Sequence, residues 1–516
     1  VEPFRLLAGC LRGNRTLTHV TLKQLRMEQI STLALALRGN DTLAQLDMVN
    51  ASRAGGQSVV RLPVPELNGS KTGNDPARVD LSKTCMEGAI GRVACAMIGT
   101  LISSNTLLER LDLSDTGVGI AIGAEGEGGH NLLRPICESA ICPINEINLT
   151  NVQLNDKAGG KLLTALVTGL GEAGSGYDKI KSLLLSRNEL GKQFTTGLKT
   201  LLWSERAPCV LQRLDLSFNL AIDGYEMGLA LKRNESLTSI DFRGVPGANT
   251  NDIYSFLGNF FLQEDCNCRV GFLSCDAFQV EPNQDELVLS TSAAKREAAA
   301  QAIPLVEGGA ATAAPGTTAG PAKASKNNQG TKQNPVILLL AGVIRFNMSL
   351  KSLIVADTGL DDEAAASFAT ALKDNKTLQH LDLSGNAEIG AAGIRIIAEA
   401  IRAHPLLSTT KVDGKPLPIA QLCGSNSTEV SLDFTDWSLG APSGLMIGAI
   451  LLSNRQILNL NLKGNQAFGT QGIRAIVEGC VQAPLKVLDA TKTGLGGEAD
   501  DVMRALSSSI CRTLGV

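Results

Sequence analysis

The sequence predicts an α/β solenoid, in which a curved sheet of parallel strands carries helices on its outer, convex side. Three observations predict this fold class. A short leucine-containing strand pattern recurs along most of the 516 residues, a small polar residue follows the strand, and an alanine-rich helical segment leads to the next strand. Neither the strand nor the helix of one unit can bury its apolar side alone, whereas stacked units can. Because only 3% of the residues are aromatic, Leu, Ile, Val and Ala must form the core.

The strand pattern is an apolar residue, two variable residues, an apolar residue, a variable residue and an apolar residue. Alternate residues of a strand share a face, so this spacing places the apolar side chains on one side of a sheet. The clearest copies begin at Leu108, Leu211, Leu378 and Ile457. Weaker copies begin at or near Leu17, Leu43, Pro76, Ile144, Ile180, Leu237, Asn267, Leu350, Leu407, Glu429 and Leu485. We therefore predict about fifteen repeats, whose late members recur every 28 or 29 residues.

A small polar residue lies three positions after the last strand leucine. A side chain that points inward there can hydrogen-bond backbone groups that leave the strand and would otherwise lack a partner. These positions hold Thr84, Thr116, Asn188, Asn219, Cys275, Thr358, Asn386, Asn465 and Thr493.

Helices are predicted between the strands. Residues 363–373 and 390–403 place apolar side chains at three- and four-residue spacing, and their Ala and Gly residues allow the helix to approach the sheet closely.

An Asn recurs just before the next strand. Because Asn tolerates the left-handed conformation that ends many helices, we expect a periodic helix C-cap. The residues concerned are Asn14, Asn40, Asn105, Asn234, Asn347, Asn375 and Asn454.

The motif LxxLDLSxN, as in residues 211–219 and 378–386, followed by an alanine-rich helix, resembles the ribonuclease-inhibitor-like leucine-rich repeats. That subfamily includes ribonuclease inhibitor, Ran GTPase-activating proteins and the repeat domains of NOD-like receptors. The resemblance covers nearly the whole chain apart from insertions. It implies a horseshoe with a concave parallel sheet and convex helices, and it says almost nothing about function.

Insertions interrupt the repeats. Three short ones, predicted to be loops, lie in an irregular N-terminal part, residues 1–289. They are residues 51–75, 120–131 and 168–178. Residues 290–334 are too poor in large apolar residues to fold alone, so we predict a low-complexity inserted loop. This loop either contacts a partner or is a neutral expansion. Residues 335–516 are predicted to be regular repeats continuous with the first part.

The residue between the second and third apolar strand positions should point to the concave face, and it is Asp in eight candidate repeats. Arg recurs two positions earlier on the same face. The candidate partner-binding residues are Asp47, Arg78, Asp80, Arg110, Asp112, Arg213, Asp215, Asp241, Arg269, His380, Asp382, Asp433 and Asp489. One interpretation is a mostly acidic ladder that docks a basic helix or loop. The alternative is that Asp and Arg satisfy each other along and across strands, since exposed ion pairs are common and weak.

Charge and hydropathy argue against two classes of partner. The 47 basic and 51 acidic residues give a net charge of −4, which lacks the basic surface that neutralises phosphates, so we expect no nucleic-acid partner. The longest apolar run, residues 335–344, is about half of the ~20 residues that span a bilayer, so we expect no membrane span. We also expect no secretory leader.

The sequence lacks the patterns that catalysis or cofactor binding would require. The Gly-Lys pairs at residues 160–161 and 191–192 are not followed by the Ser or Thr of a phosphate-binding loop. Cys266, Cys268 and Cys275 are close in sequence but have no nearby His, so we predict structural thiols and no metal. We therefore expect neither an enzyme nor a cofactor.

The sequence thus predicts a non-enzymatic protein-interaction scaffold or a structural subunit of a larger assembly, which binds partners through its concave face and inserted loops. Twelve cysteines without a disulfide framework indicate a reducing compartment, such as the cytoplasm. Solenoids resembling this one commonly serve in cytoskeletal or ciliary complexes. The alternative function is regulation of an enzyme, as a GTPase-activating or inhibitory repeat protein or as the repeat domain of a NOD-like sensor.

Overall fold

The computed structural model describes residues 2–51, 57–71, 75–87, 89–123, 128–168, 179–203, 209–245, 253–289, 334–424, 430–480 and 483–495. The chain divides into two compact units. Unit 1 comprises residues 1–285 with 342–350, and unit 2 comprises residues 286–341 with 351–516.

The described strands are short, most of three residues, and most of them lie in or directly after the predicted strand segments. They are β1 His19–Lys23, β2 Gln45–Ala51, β3 Gln57–Pro63, β4 Arg78–Asp80, β5 Cys85–Glu87, β6 Arg110–Asp112, β7 Glu146–Asn148, β8 Ser182–Leu184, β9 Arg213–Asp215, β10 Ser239–Asp241, β11 Phe272–Ser274, β12 Gln279–Val280, β13 Glu286–Val288, β14 Ser352–Ile354, β15 His380–Asp382, β16 Thr409–Lys411, β17 Pro416–Pro418, β18 Ser431–Asp433, β19 Asn459–Asn461 and β20 Val487–Asp489.

The strands form two sheets in each unit. Unit 1 has a four-stranded sheet of order β1-β2-β3-β5 and an eight-stranded sheet of order β12-β11-β10-β9-β8-β7-β6-β4. Unit 2 has a five-stranded sheet of order β13-β14-β15-β16-β17 and a three-stranded sheet of order β18-β19-β20. Most neighbouring strands pair in parallel, and the parallel pairs follow one another in chain order.

Buried leucines set the register of the parallel strands. The middle residues of neighbouring strands, such as Leu111, Ile147 and Leu183, pair with one another and are each 1% exposed. Because side chains alternate along a strand, the two flanking residues of each strand point to the opposite face. A one-residue slip would exchange the buried and the open face, so burial fixes the alignment of every strand.

Helices connect the strands. They are α1 Glu2–Gly13, α2 Met27–Leu37, α3 Val64–Asn68, α4 Arg92–Ile102, α5 Val118–Gly123, α6 Gly128–Glu138, α7 Asp156–Thr168, α8 Lys192–Leu202, α9 Gly224–Leu231, α10 Ile253–Leu262, α11 Pro335–Phe346, α12 Asp362–Asp374, α13 Ala391–Ala403, α14 Ile419–Cys423, α15 Ala441–Leu451 and α16 Gly469–Gly479. A short 3₁₀ turn, Gln466–Phe468, precedes α16. The two helices predicted from apolar spacing are thus confirmed as α12 and α13.

Glycines in unit 2 allow close packing of helix on helix, whereas the sequence led us to expect close packing of helix on sheet. A Cβ atom on Gly444 of α15 would lie 2.5 Å from the Cα of Gly472 of α16. A Cβ on Gly448 would overlap the backbone carbonyl of Ala475. The missing side chains therefore bring the backbones of neighbouring helices together.

Two predicted loops are wrong. Within residues 51–75, β3 pairs antiparallel with β2, and α3 follows directly. The Gly, Ser, Pro and Asn content of this segment predicts a loop, but Val60 and Leu62 lie at alternate positions and are 1% and 0% exposed, as in a strand with one buried face. Within residues 120–131, α5 and α6 are helical on both sides of an undescribed gap.

The other predicted insertions lie largely outside the described residues. This applies to residues 169–178 of the third short insertion and to residues 290–333 of the long one.

Antiparallel strands end several parallel runs. Within the described residues, β3, β12 and β17 each pair antiparallel with the preceding parallel strand. Pro416 and Pro418 of β17 have no backbone N–H and therefore blunt this edge strand against further pairing. Strand β13, which pairs in parallel with β14, was not among the predicted repeats. Its Leu287 and Leu289 fit the pattern, but Gln284 occupies the first apolar position.

The predicted role of the polar residue after the strand is confirmed where it is Asn. Asn188, Asn219, Asn386 and Asn465 are at most 8% exposed. Each Nδ2 donates to the carbonyl of the last buried residue of its own strand and to the equivalent carbonyl of the preceding repeat. Each Oδ1 accepts a backbone N–H from the preceding repeat. These side chains therefore link neighbouring repeats.

The left-handed conformation predicted for the second Asn series is wrong, although Asn375 is the C-cap of α12 and its backbone N–H donates to Ala371 O. Asn375 has φ −63° and ψ 138°, which is extended and not left-handed. Instead, its Oδ1 accepts the N–H groups of Thr377 and Leu378 and so turns the chain into the next strand. Asn40 and Asn105 do the same and also donate to carbonyls of the preceding repeat.

Left-handed backbone occurs two residues after the last buried residue of the strand. We call this the turn position. Its left-handed occupants are Gln24, Asp115, Asn151, Arg187, Phe218, Gly244, Asp357, Gly385, Gly414, Asp436, Gly464 and Lys492.

Candidate protein-binding surface

The open face of the eight-stranded sheet in unit 1 carries two rows of side chains in register. The first row is Arg78, Arg110, Glu146, Ser182, Arg213, Ser239 and Phe272. The second row is Asp80, Asp112, Asn148, Leu184, Asp215, Asp241 and Ser274. Parallel strands lie about 4.8 Å apart, so neighbours within a row are close enough to interact.

The aspartates of the second row, and those at the equivalent strand position in unit 2, close the ends of their strands. In each case Oδ1 accepts the backbone N–H of the residue two positions later, a local turn that Asp favours. The Asp residues concerned are Asp80, Asp112, Asp215, Asp241, Asp382, Asp433 and Asp489. Asp47 differs, because its Oδ1 accepts from the Gln45 side chain. One oxygen of most of these carboxylates therefore has a structural function, which leaves Oδ2 for other contacts.

Several of the predicted residues pair with one another. Arg78 Nη2 lies 2.8 Å from Asp112 Oδ2 and 3.8 Å from Asp80 Oδ2. Asn148 also donates to Asp112, which is only 8% exposed. In unit 2, Lys411 lies 3.3 Å from Asp382. These carboxylates are partly neutralised and are poorly available to a partner.

Other predicted cations lie apart from the aspartate row. Arg110 pairs with Asp75, at 2.9 Å, and not with an aspartate of the second row. Arg213 is exposed and forms no ion pair within the part of the chain that the structure describes. In unit 2, His380 Nδ1 lies 2.7 Å from the hydroxyl of Thr409, which pairs with His380 on the neighbouring strand β16.

The predicted position of Arg269 is wrong by three residues. Leu273 pairs with Ile240, so Leu273 is the middle residue of β11, and Arg269 precedes this strand. Phe272 occupies the position expected for Arg269. Cys275 is accordingly the last buried strand residue, at 5% exposure, and not the polar residue after the strand. Val270 follows Cys266 and Cys268 at alternate positions, so the spacing alone predicts that Val270 is the middle residue of a strand.

The three-stranded sheet of unit 2 carries an acidic face whose carboxylates form no ion pair within the described residues. Asp433, Asn461 and Asp489 lie in register across β18, β19 and β20. Asp433 is exposed and Asp489 is half-exposed. Hydrogen bonds from the Thr435 hydroxyl and backbone lower the pKa of Asp433, and hydrogen bonds from Thr491 lower the pKa of Asp489. Both groups are therefore firmly anionic at neutral pH.

A pocket that the sequence did not reveal lies on the open face of unit 1. Strands β9, β10 and β11 form its floor, and the segment from Gln279 to Pro282, which contains β12, forms a wall. Its volume is about 480 Å³. Arg243 lines the pocket and holds Asp241 through Nε and Nη2. The antiparallel turn into β12 thus gives one end of the sheet a concave pocket that is lined by both polar and apolar side chains.

The described residues show no sign of a metal centre or a membrane segment. Nowhere in the described ranges do three or more His, Cys, Asp or Glu side chains gather as metal ligands would. Burial raises the pKa of the Cys95 thiol to about 12. Cys266 and Cys268 are 3% and 1% exposed and hydrogen-bond each other, which lowers the pKa of Cys266 to about 7. None of the helices in the described ranges combines the length and the hydropathy needed to cross a bilayer.

Comparison with known proteins gives one family match and one curated relative. Residues 374–398, which span β15 and most of α13, match the family described as "Leucine Rich repeat". Protein TORNADO 1 of Arabidopsis thaliana is 29% identical over 185 residues. That alignment covers 32% of this chain and 13% of the relative, so this chain spans only a small part of the relative's length.

The solved structures that are similar to this chain include the following three, all with low TM-scores. Leiomodin-1 actin-binding site 2 aligns at 20% identity and TM-score 0.18, covering 37% of this chain and 80% of that one. The tropomodulin C-terminal domain from Caenorhabditis elegans aligns at 17% identity and TM-score 0.19, covering 35% and 99%. The yeast Rad7 and Elc1 complex aligns at 16% identity and TM-score 0.23, covering 80% and 88%. TM-scores this low carry no conclusion about this chain.

Proposed function

We propose that this chain, for which the sequence matches support a leucine-rich-repeat family, is a non-enzymatic protein-interaction scaffold or a structural subunit of a larger assembly. A protein-interaction role fits the family match and the curated relative. The observation that carries the proposal is the open strand face, where exposed side chains of varied chemistry stand in register on rigid strands. Such a surface suits recognition of a protein, because many weak contacts add up over a wide area.

The finer architecture is also part of the proposal. We propose that the repeats are of the ribonuclease-inhibitor-like type and that each unit is an arc of a horseshoe solenoid, with the strands on the concave side. The repeated order of strand, turn and helix supports this. The β2–β3 hairpin and the inserted residues 290–334 would add contacts outside the strand face. A reducing compartment is supported by the free cysteines, many of which are buried, and a cytoskeletal or ciliary location is a further proposal.

The charge distribution favours a basic partner for the three-stranded sheet of unit 2. Asp112, Asp241 and Asp382 each form an ion pair with an Arg or Lys of the same chain. Asp433 is exposed and Asp489 is half-exposed, and their hydrogen-bond donors are Thr435 and Thr491 rather than cations. An incoming Lys or Arg would therefore gain an ion pair there without displacing an existing one.

Charge reversal tests this proposal. The full chain carrying Asp433→Lys and Asp489→Lys should bind a lysine-rich helical peptide at least about tenfold more weakly, since two favourable pairs become repulsive. Its unfolding midpoint should fall by only a few degrees, because each substitution removes the local turn hydrogen bonds of a carboxylate that is not buried. The matched control is Glu388→Lys with Glu399→Lys, an equal change of net charge on exposed residues away from the strands. Equal loss of binding in both variants would show only a net-charge effect and would refute the assigned site.

A further inference from the structure

Phe218 breaks the chemical pattern of the turn position. It has φ 59°, a conformation that a bulky side chain rarely adopts. The other left-handed residues at this position, within the described ranges, are glycine or carry polar side chains. Phe218 is nevertheless 48% exposed, so its ring is not held there by burial in the core. Backbone strain at an exposed aromatic residue calls for a reason other than folding.

Other repeats of the same chain show that packing at this position does not require an aromatic ring. The Phe218 ring covers Gly244 of the next repeat, and a Cβ there would overlap the ring. In unit 2, the Asp357 carboxylate covers Gly385 in the same way, and the Asp436 carboxylate covers Gly464. An aspartate therefore fulfils the same structural function in two other repeats.

The surroundings of Phe218 indicate what it would bind. The Arg187 guanidinium lies over the ring, 5.1 Å from its centroid, and is exposed. Arg187 forms no ion pair within the described part of the chain, so its charge is not compensated there. Leu220, two residues along, is 71% exposed. Aromatic and arginine side chains are the types that dominate protein interfaces.

We propose that Phe218, Arg187 and Leu220 form an anchor site for an acidic segment of a partner protein, one that places an apolar side chain on Phe218 and Leu220 and a carboxylate against Arg187. The apolar contact would be favoured because it removes the exposed half of the Phe218 ring and the exposed Leu220 side chain from water. The carboxylate would gain a charge-assisted hydrogen bond with a guanidinium whose planar face is already fixed by the ring. The site lies beyond the strand end in unit 1 and differs from the acidic face of unit 2 proposed above.

The chain supplies its own control for this site, the variant Phe218→Asp. This change gives the turn position the residue found at Asp357 and Asp436, so the cover over Gly244 is kept and the strain of a bulky residue is reduced. We expect an unchanged or slightly higher unfolding midpoint. A clearly lower midpoint would show that the ring is structural and would overturn the proposal.

Binding can be tested with a phage-displayed library of short random peptides selected on the full-length chain. We expect selected peptides to carry Leu, Phe or Pro beside Asp or Glu. Measured by fluorescence polarisation, the affinity for these peptides should be at least about tenfold lower in Phe218→Asp than in the wild type. Arg187→Glu should weaken the acidic peptides and favour basic ones. Asp433→Lys with Asp489→Lys should leave their affinity unchanged, so this result is independent of the proposed basic partner.

Three outcomes would overturn the proposal. The first is selection of peptides that bind the wild type and Phe218→Asp equally well. The second is a library that yields no binder. The third is concentration-dependent self-association that Phe218→Asp abolishes, measured by sedimentation velocity, because the occupant would then be a second copy of the chain.

Discussion

Replacing Asn386 by Ala should uncouple two neighbouring repeats of unit 2. Asn386 is 8% exposed, and its Nδ2 donates to the carbonyls of Leu383 and Val355 at 2.8 and 2.9 Å. Its Oδ1 accepts the N–H groups of Thr358 and Leu360 at 3.0 and 3.1 Å. Alanine would leave four buried backbone groups without these partners. At about 1 kcal/mol for each lost hydrogen bond, with some replacement by water, we expect a loss of about 2–4 kcal/mol in the free energy of unfolding.

Two matched variants define the scale of this effect. Asn386→Thr should cost less, because a Thr hydroxyl at this position donates to the last strand carbonyl, as Thr358 Oγ1 does to Val355 O at 2.8 Å. Asn461→Ala, on the open strand face, should change stability by no more than about 0.5 kcal/mol. Urea unfolding of the full chain gives the total effect. Hydrogen exchange locates it, because chains of repeats can open in parts.

Exchange should accelerate most at the N–H groups of Thr358 and Leu360, which lie in the repeat before the substitution. A loss below about 1 kcal/mol, or one equal to that of Asn461→Ala, would refute the coupling role of the Asn side chain.

Three further predictions concern separate features. Gly448→Ala should destabilise unit 2 by about 1–3 kcal/mol, measured by urea unfolding, because the new methyl group would overlap the backbone of α16. Binding of a lysine-rich peptide to Asp433, measured by fluorescence polarisation, should stay constant from pH 7 to about pH 5. The folded-state pKa of Asp433 lies below the ordinary 3.8, so the carboxylate stays charged until the pH falls through that lower value. A loss of binding near pH 5 would contradict this. Iodoacetamide should label exposed Cys10 in the native chain, whereas Cys95 and Cys480, whose thiol pKa burial raises to about 12, should react only after unfolding, as measured by peptide mass spectrometry.

The strands could be predicted from the sequence because burial repeats with a fixed spacing. Leu111 and Leu381 are each at most 2% exposed and were assigned from the leucine pattern alone. The hydrogen bonds of Asn188 were also predictable, since a buried side chain next to a turn must satisfy the backbone around it. Where a repeat departs from the pattern, the spacing does not locate the strand correctly. It predicts Val270 as the middle residue of a strand that is centred on Leu273.

The antiparallel strands were missed for a different reason. Composition assigned residues 57–63 to a loop, although the alternation of Val60 and Leu62 is typical of a strand. Asn375 is the helix C-cap that its residue type predicts, but its backbone is extended, and its side-chain Oδ1 accepts N–H groups of the segment that leads into the next strand. Residue type alone does not determine which of two local hydrogen-bonding patterns the backbone adopts.

The binding surface was only partly predictable, because the sequence identifies the Asp row but not the partners of each carboxylate. Asp112 and Asp433 occupy equivalent positions in their repeats. One is buried beside Arg78 and Asn148, and the other is exposed with Thr435 as its side-chain partner. The difference arises from the neighbouring strands, whose alignment becomes evident only in the fold. Phe218 could have been noticed as an aromatic residue in the LDLSxN motif, but its strain and exposure are properties of the structure.

Hydroxyl-radical footprinting of the native assembly against the isolated chain tests the central claim most directly. The open strand faces carry readily oxidised side chains, including Leu184, Phe272 and His380, and the helices expose Leu35 and Ile396. If partners bind the strand faces, oxidation in the assembly should fall at the first three residues and stay unchanged at the other two. Protection of Leu35 and Ile396 with undiminished oxidation of the strand faces would contradict a binding function for the strands.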